Sequence, residues 1–271
     1  MRRFLITLGF MTRIPVSQNI LFQEGDLEKG IVYFPIIGLL LGAISGFFYS
    51  IAICFLPKAF AVLLAIISNL FLTGAFHLDG LCDTVDGIYS ARKPERMLEI
   101  MKDSHIGTNG VAALIIDLAW KYIGIFLSPV PVITILLLPV AGKMVQGVMG
   151  YHAIYPRKEG LGLFVGTVTK GRTFVCYILG ACFLVVGVGF ISVIEKGSVN
   201  WLQQLQMNSW QFFCIGSGIG LIISVFLLGT AIWFRKYIER KIGGITGDVM
   251  GASSELCEMV FLLFISAIFT K

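Results

Sequence analysis

Two long stretches of the chain contain no charged residue, and they restrict its fold class more than any other feature. Residues 30–57 and 197–234 lack Asp, Glu, Lys and Arg. About 18 such residues already suffice for a helix to cross a bilayer. Of all 271 residues, 14% are charged, whereas soluble domains contain about a quarter. The sequence therefore predicts an integral membrane protein, and it excludes a soluble enzyme, a disordered chain and a nucleic-acid-binding protein.

Apolar segments separated by charges and turns predict an all-α polytopic bundle of about seven membrane-spanning helices, in a single domain covering residues 1–271. The third and fourth spans are separated by Ser128-Pro129-Val130-Pro131. Because proline favours helix starts and breaks helix interiors, we expect a turn there, with one long kinked helix as the alternative. The predicted spans are 31–56, 59–77, 111–127, 129–142, 173–194, 209–234 and 249–270.

The basic residues are distributed unevenly between the two predicted membrane faces. Seventeen of the 21 Lys and Arg residues lie in the segments 1–30, 78–110, 143–172 and 235–248. Lys and Arg concentrate in cytoplasmic loops, so we expect a cytoplasmic N-terminus. The segment 1–30 is predicted to be cytoplasmic or interfacial, with its first arginines facing lipid headgroups.

The segment from His77 to Gly87 is the most informative stretch of the chain. It carries Asp79, Asp83 and Asp86, which fall within about 60° of one another on a helix. Such a row of carboxylates repels itself unless it is neutralised. A hard divalent cation with oxygen ligands would neutralise it, and several acids could hold two ions around a phosphoryl group. We therefore favour a metal site over the alternative, a solvated polar helix end.

Residues 78–110 are predicted to form a cytoplasmic active-site loop containing a short helix over 94–102. Asp103 could add a fourth carboxylate to the metal site, or could simply cap a helix or pair with a lysine. Arg92 and Lys102 could bind phosphate oxygens, although cytoplasmic anchoring explains their charges equally well. His105 could act as a base, but a lone loop histidine more often has no catalytic role.

The last span carries acidic residues near its predicted cytoplasmic end. Asp248 and Glu255 are seven residues apart and share a helix face, and Glu258 lies one turn deeper. We expect Asp248 and Glu255 to form a second wall of the polar pocket, because small residues at 251–253 permit close helix approach. The alternative is a buried hydrogen-bonded pair that holds helices together.

Several other polar residues have simpler explanations. Asp117 and Lys121 lie four residues apart in the third span, which predicts an intrahelical ion pair rather than a proton path. Arg157 belongs to a basic loop that could contact a nucleotide or anchor the protein. The six cysteines form no Cys-x-x-Cys pair, so a disulfide framework or a zinc site is not expected.

Taken together, these segments make the chain resemble the cobalamin synthase family, the adenosylcobinamide-GDP ribazoletransferases. The resemblance extends nearly from end to end. The acidic segment at the end of the second predicted span and the one in the last span are specific in combination. The matching segments are Thr12-Arg13-Ile14-Pro15, Phe34-Pro35-x-x-Gly38, His77-Leu-Asp79-Gly-Leu-x-Asp83-x-x-Asp86-Gly87, Met101-x-Asp103-Ser104-x-x-Gly107, Glu159-Gly160-Leu161-Gly162, and Thr246-Gly247-Asp248 with Gly251, Glu255 and Glu258.

The resemblance implies a Mg²⁺-dependent transferase in a bacterial inner membrane. Such an enzyme joins adenosylcobinamide-GDP to α-ribazole or its 5′-phosphate and releases GMP, with its active site facing the cytoplasm. A homo-oligomer is left open. The implied roles are metal binding by Asp79, Asp83, Asp86 and Asp103, proton transfer by Asp86 or Asp103, and phosphate or substrate binding by Arg92, Lys102, Arg157, Asp248 and Glu255.

Two alternatives remain at this level. The pattern Asp83-x-x-Asp86-Gly87…Ala91-Arg92…Asp103 is similar to the signature of CDP-alcohol phosphotransferases, but it differs in spacing and lacks the closing Asp-x-x-x-Asp. A cation-coupled transporter could use Asp117, Glu255 and Glu258 as an ion path. Most acids lie near one predicted membrane face, whereas transporters place their site near the midplane, so we favour an enzyme.

Overall fold

All the secondary-structure elements assigned in the described residues are helices. The only β-type pairing there is an isolated bridge between Tyr151 and Val168. The computed structural model describes residues 1–17, 20–157, 165–195 and 207–269. The Glu159-Gly160-Leu161-Gly162 segment lies outside them. The helices are α1 (Arg2–Met11), α2 (Asp26–Gly30), a 3₁₀ turn (Ile31–Tyr33), α3 (Phe34–Ala52), α4 (Lys58–Thr73), α5 (Phe76–Tyr89), α6 (Pro94–Ile100), α7 (Thr108–Leu127), α8 (Pro131–Lys143), α9 (Gln146–Gly150), α10 (Lys170–Ile194), α11 (Ser209–Ile242) and α12 (Gly247–Phe269).

The predicted membrane-spanning architecture is confirmed. Six helical segments are long and apolar enough to cross a bilayer, and the bent pair α4–α5 brings the number to seven if it forms one span. The six are Asp26–Ala52, Thr108–Leu127, Pro131–Gly150, Lys170–Ile194, Ser209–Ile242 and Gly247–Phe269.

The turn between the third and fourth spans is present where the prolines predict it. Helix α7 ends at Leu127 and α8 begins at Pro131, so the alternative of one long kinked helix is wrong. The Ser128 carbonyl accepts a hydrogen bond from Lys58 Nζ at 3.2 Å. This contact connects the turn to the start of α4.

The second predicted span, 59–77, is wrong as one continuous helix. Helix α4 ends at Thr73, and α5 begins at Phe76 after a bend of 86°. Gly74 and Ala75 between them have φ angles of 62° and 57°. Two successive left-handed residues terminate an α-helix and redirect the chain. The acidic segment therefore lies on a separate helix that leaves the direction of α4.

The segments with predicted cytoplasmic positions contact one another. Arg172 pairs with Glu28 at 2.7 Å, which joins the segment 143–172 to 1–30. Arg157 pairs with Asp248 at 2.9 Å, and its guanidinium also lies 3.5 Å from the carbonyl oxygen of Met101. All four segments are thus connected by side-chain contacts, as expected if they share one membrane face. Which side that face is on stays a prediction.

The first arginines do not both point freely toward lipid. Arg2 forms a two-point ion pair with Asp26, with N–O distances of 2.6 and 2.9 Å, and Arg3 lies 3.8 Å from the same carboxylate. Asp26 is buried. A buried carboxylate requires a cationic partner, so these arginines fasten α1 to α2 rather than serving only as headgroup contacts.

Candidate active site

Helix α5 forms one wall of a cavity of about 450 Å³, which we call the acid cavity. Asp79 and Asp83 lie one turn apart on the face of α5 that lines this cavity. The opposite side is formed by the segment between α6 and α7 and by Leu114 of α7. The lining residues are Ala75, Leu78, Asp79, Cys82, Asp83, Lys102, Asp103, Ser104, Ile106 and Leu114.

Helices α5 and α12 approach each other closely beside this cavity because both present glycine at the contact. A Cβ atom added to Gly80 would lie 2.7 Å from the carbonyl oxygen of Asp248. One added to Gly251 would lie 3.1 Å from the carbonyl oxygen of His77. The small residues that predicted this approach are therefore in contact, and they bring Asp248 close enough to Asp83 for their charges to interact.

Arg157 provides the positive charge opposite these acids. It pairs with Asp248 at 2.9 Å and also acts electrostatically on Asp83. Its position follows from backbone contacts, since the N–H of Ile245 donates a hydrogen bond of 2.8 Å to the carbonyl of Ile154. The structure thus brings the two predicted substrate-binding residues Arg157 and Asp248 together beside the acid cavity. The buried Nε of Arg157 has no hydrogen-bond partner in the part of the chain that the structure describes.

Asp86 has a different environment from the other two acids of α5. Its two carboxylate oxygens accept hydrogen bonds from the backbone N–H groups of Gly107, at 2.7 Å, and Gly110, at 2.9 Å. It does not line the acid cavity. Unpaired N–H groups at a helix start are stabilised by such a carboxylate. Asp86 therefore caps α7 from a distant part of the chain, a role that its sequence position did not reveal.

Asp103 lines the acid cavity but is exposed and paired with His105. Its Oδ1 lies 2.7 Å from the imidazole Nδ1 and accepts the backbone N–H of His105 at 3.1 Å. These hydrogen bonds from His105 hold the pKa of the Asp103 carboxyl below its usual range. Lys102 lines the same cavity, as predicted for a phosphate-binding residue, whereas Arg92 does not.

The four predicted metal-binding carboxylates are not assembled into one ligand set. Within the described ranges, no three His, Cys, Asp or Glu side chains are arranged to hold a metal ion. The carboxylate oxygens of Asp86 are occupied by α7, and Asp103, on the other side of the cavity, is paired with His105. Magnesium usually takes only one or two carboxylates and completes its shell with waters and substrate phosphates. The pair on α5 fits that requirement, and magnesium binding stays a prediction.

Glu255 does not line the acid cavity but belongs to a buried ion cluster deeper in the bundle. Lys121 Nζ contacts Glu255 directly and lies 3.0 Å from Glu258 and 3.2 Å from Asp117. Lys143 Nζ lies 3.7 Å from Glu258. The predicted role of Glu255 as a pocket wall is not supported, and the alternative of a buried pair between helices describes it better. The predicted pair Asp117–Lys121 is confirmed.

The buried ion cluster (Asp117, Lys121, Lys143, Glu255 and Glu258) joins α7, α8 and α12. Charged groups within membrane spans are stabilised by pairing with one another. Lys143 also donates a hydrogen bond of 3.0 Å to Ser254 of α12. Sequence reasoning missed Lys143, which it assigned to a cytoplasmic loop. Its position at the last residue of α8 left its burial undetermined until the packing was known.

Comparison with known proteins gives one consistent result. The family model described as cobalamin-5-phosphate synthase matches residues 3–266. The adenosylcobinamide-GDP ribazoletransferase of Clostridium novyi is 34% identical over 97% of this chain and 96% of its own length. Proteins of the same name from Citrobacter koseri and Alkaliphilus metalliredigens are 37% and 36% identical, over 96% and 98% of this chain and 97% and 95% of their own lengths. No solved structure matches the chain.

Proposed function

Because the chain belongs to the cobalamin-5-phosphate synthase family, we propose that it is a membrane transferase acting on a GDP-activated corrinoid. It joins adenosylcobinamide-GDP to α-ribazole or its 5′-phosphate, forming adenosylcobalamin or its 5′-phosphate and releasing GMP. The relatives described above are named for this activity, and they match this chain over nearly its full length. Neither the CDP-alcohol phosphotransferase nor the transporter alternative receives support from them.

The observation that carries the proposal is the acid cavity, which combines Asp79 and Asp83 with the cation Lys102. A diphosphate needs neutralisation of its oxygens, and a site that transfers phosphoryl groups works mainly by positioning and charge stabilisation. Lys102 supplies positive charge directly. The guanidinium of Arg157 adds positive charge beside the same acids, through its ion pair with Asp248 and its electrostatic interaction with Asp83.

Mg²⁺ would be held by Asp79 and Asp83, and when bound it would neutralise diphosphate oxygens and stabilise the charge that develops on the leaving group. The ribose hydroxyl of the ribazole forms a bond to the cobinamide-linked phosphorus. The bond from that phosphorus to the oxygen of GMP breaks in line with it. The hydroxyl proton passes to a carboxylate, and we assign this role to Asp103 because the oxygens of Asp86 are occupied by α7.

The acid cavity is proposed to open to the cytoplasm. Its residues lie in the segment 78–110, which contacts the other basic segments through Arg157. Basic residues mark the cytoplasmic side of membrane proteins. Both nucleotide-activated corrinoid and ribazole would then reach the cavity from the side on which nucleotides are made.

GMP release by purified protein tests the proposal. Adenosylcobinamide-GDP and α-ribazole 5′-phosphate are supplied over a range of Mg²⁺ concentrations, with a chelator as blank. We expect Mg²⁺-dependent GMP release, and a loss on the order of 100-fold or more in Asp83→Asn, because a phosphoryl-transfer site depends on metal-assisted charge stabilisation. Glu95→Gln, which changes an exposed carboxylate on α6, is the matched control. Near-normal turnover of Asp83→Asn would refute the metal assignment, and no GMP release by the unmodified protein would refute the function.

A further inference from the structure

An apolar groove runs between α3 and α4 on the outside of the bundle, and it shares no lining residue with the acid cavity. Its volume is about 790 Å³. Apart from Arg13 and Ser68, every lining side chain is apolar. The groove is lined by Arg13, Ile14, Pro15, Phe48, Ile51, Ala52, Phe55, Leu56, Leu64, Ile67, Ser68, Phe71 and Leu72.

The length of the groove matches one leaflet of a bilayer. Along α4 it extends from Leu64 to Leu72, which corresponds to about 12 Å at about 1.5 Å per residue. Half of a hydrocarbon core of about 30 Å is similar. Phe55 and Phe71 on its rim are 83% and 78% exposed. A surface of this kind excludes the phosphates of the substrates, because unpaired polar groups are costly to place against hydrocarbon.

Arg13 lies at the end of the groove where α4 ends. Its backbone N–H donates a hydrogen bond of 2.7 Å to the carbonyl of Leu72, which fixes this residue to the last turn of α4. Its side chain crosses Gly74, where any Cβ atom would collide with Nε. The absence of a side chain at Gly74 thus leaves room for the Arg13 side chain beside the end of α4.

The charge of Arg13 has no ion-pair partner in the part of the chain that the structure describes. The residue is exposed, and among the described residues no carboxylate forms an ion pair with it. Guanidinium binds phosphate through two parallel hydrogen bonds. An apolar groove about as long as a leaflet is complementary to an acyl chain joined to a phosphate when one end carries an exposed arginine with no ion-pair partner among the described residues.

We propose that this groove is a binding site for one anionic phospholipid, with an acyl chain lying against α3 and α4 and the headgroup phosphate bound by Arg13. The site does not depend on the proposed transferase activity. A phospholipid of net negative charge is preferred over a zwitterionic one, because no carboxylate of the described residues pairs with Arg13 and offsets its charge.

Native mass spectrometry of the full-length protein in non-ionic detergent tests the site. The protein is titrated with phosphatidylglycerol and, separately, with phosphatidylcholine of the same acyl chains. We expect one phosphatidylglycerol to bind more tightly than phosphatidylcholine. Arg13→Gln should weaken phosphatidylglycerol binding about 10-fold or more, since it removes a charge-assisted hydrogen bond. Ser68→Trp, which fills the groove but keeps the arginine, should weaken binding of both lipids.

Two matched variants serve as controls and are expected to bind as the unmodified protein does. Arg240→Gln removes an exposed arginine at the end of α11, and Leu63→Trp enlarges a lipid-facing residue of α4 outside the groove. Unchanged phosphatidylglycerol binding in Arg13→Gln, or equal losses in Arg13→Gln and Arg240→Gln, would overturn the proposal. If Arg13→Gln does not fold, Arg13→Lys replaces it. This variant should bind phosphatidylglycerol more weakly than the unmodified protein does, but still more tightly than it binds phosphatidylcholine. Phosphatidylglycerol binding equal to that of the unmodified protein would overturn the role of the guanidinium.

Discussion

Arg157 donates to Asp248 across 2.9 Å, and this ion pair joins the loop after α9 to the first turn of α12. The side chains of Arg157 and Asp248 are 12% and 26% exposed, so water screens the pair only in part. Asp83 lies close enough to interact with both charges. The pair therefore balances negative charge beside the acid cavity and fixes where the loop meets α12.

Replacement of Arg157 by Met is expected to lower kcat/KM for GMP release about 10- to 100-fold, the range that corresponds to a lost hydrogen bond to a charged group. It leaves Asp248 without its cation beside Asp83. Arg172→Met is the matched control, because it removes a similar pair of 2.7 Å with Glu28, whereas Asp83 interacts with Arg157 and Asp248. Equal losses in the two variants would show that the Arg157 pair has no special relation to the reaction.

The contact between α5 and α12 can be tested through Gly80. In Gly80→Ala the added methyl group would lie 2.7 Å from the Asp248 carbonyl, so the helices must separate. We expect a loss of about 1–3 kcal/mol in stability from overpacking, together with reduced GMP release. Gly229→Ala on α11 has no atom within 4 Å of the new methyl group and should leave the thermal unfolding midpoint unchanged or slightly raised. A Gly80→Ala protein with unaltered stability would contradict this helix contact.

Hydropathy and charge position predicted the spans well because both depend on local sequence. The turn at Ser128–Val130 was found because proline marks helix boundaries directly. The break after α4 was missed, although Gly74 was visible within the predicted span. A single glycine is tolerated within helices, and only the second left-handed residue, Ala75, converts it into a bend of 86°.

The acidic residues of α5 and α12 were recognised as the unusual feature of the chain, but their partners were not predicted, unlike the pair Asp117–Lys121. Asp86 accepts N–H groups from Gly107 and Gly110, more than twenty residues away. Glu255 meets Lys121, which is more than one hundred residues away. Periodicity places side chains on one face of one helix, whereas the partner of each acid depends on how helices distant in sequence pack. A shared face was therefore predictable, and a shared ligand set was not.

Because Asp86 caps α7, replacing it should have a different effect from replacing Asp83. Asp86→Ala removes both acceptors of the α7 N–H groups and should destabilise the protein by about 1–2 kcal/mol, typical of a lost N-cap. Asp83→Ala should change stability less and should raise the Mg²⁺ concentration needed for half-maximal GMP release. Thermal unfolding and a Mg²⁺ titration of both variants separate these effects. A stable Asp86→Ala protein with an altered Mg²⁺ requirement would contradict the capping role and would indicate that Asp86 binds the metal.

The buried ion cluster is expected to be sensitive to the loss of one partner. Lys121→Met leaves Glu255 and Glu258 buried with less compensation, and such changes destabilise by about 3–5 kcal/mol. For a chain of this size the unfolding midpoint should fall by on the order of 10 °C. The double variant Lys121→Met/Glu255→Gln should recover part of this loss, because it also removes an unpaired charge. Lys236→Met, at an exposed position of α11, should have little effect. A double variant less stable than Lys121→Met would contradict the pairing.

The pair Asp103–His105 predicts the direction of a pH shift. Hydrogen bonds from His105 hold the pKa of Asp103 below its usual range, so the carboxylate remains ionised as the pH falls until that lowered pKa is reached. A base must be ionised to accept the proton of the attacking hydroxyl. In His105→Phe the pKa of Asp103 should rise toward its usual value, and the acid limb of the kcat/KM profile should move to higher pH. His152→Phe, which changes an exposed histidine that does not line the cavity, should leave that limb in place. If the limb is the same in all three proteins, Asp103 does not act as the base.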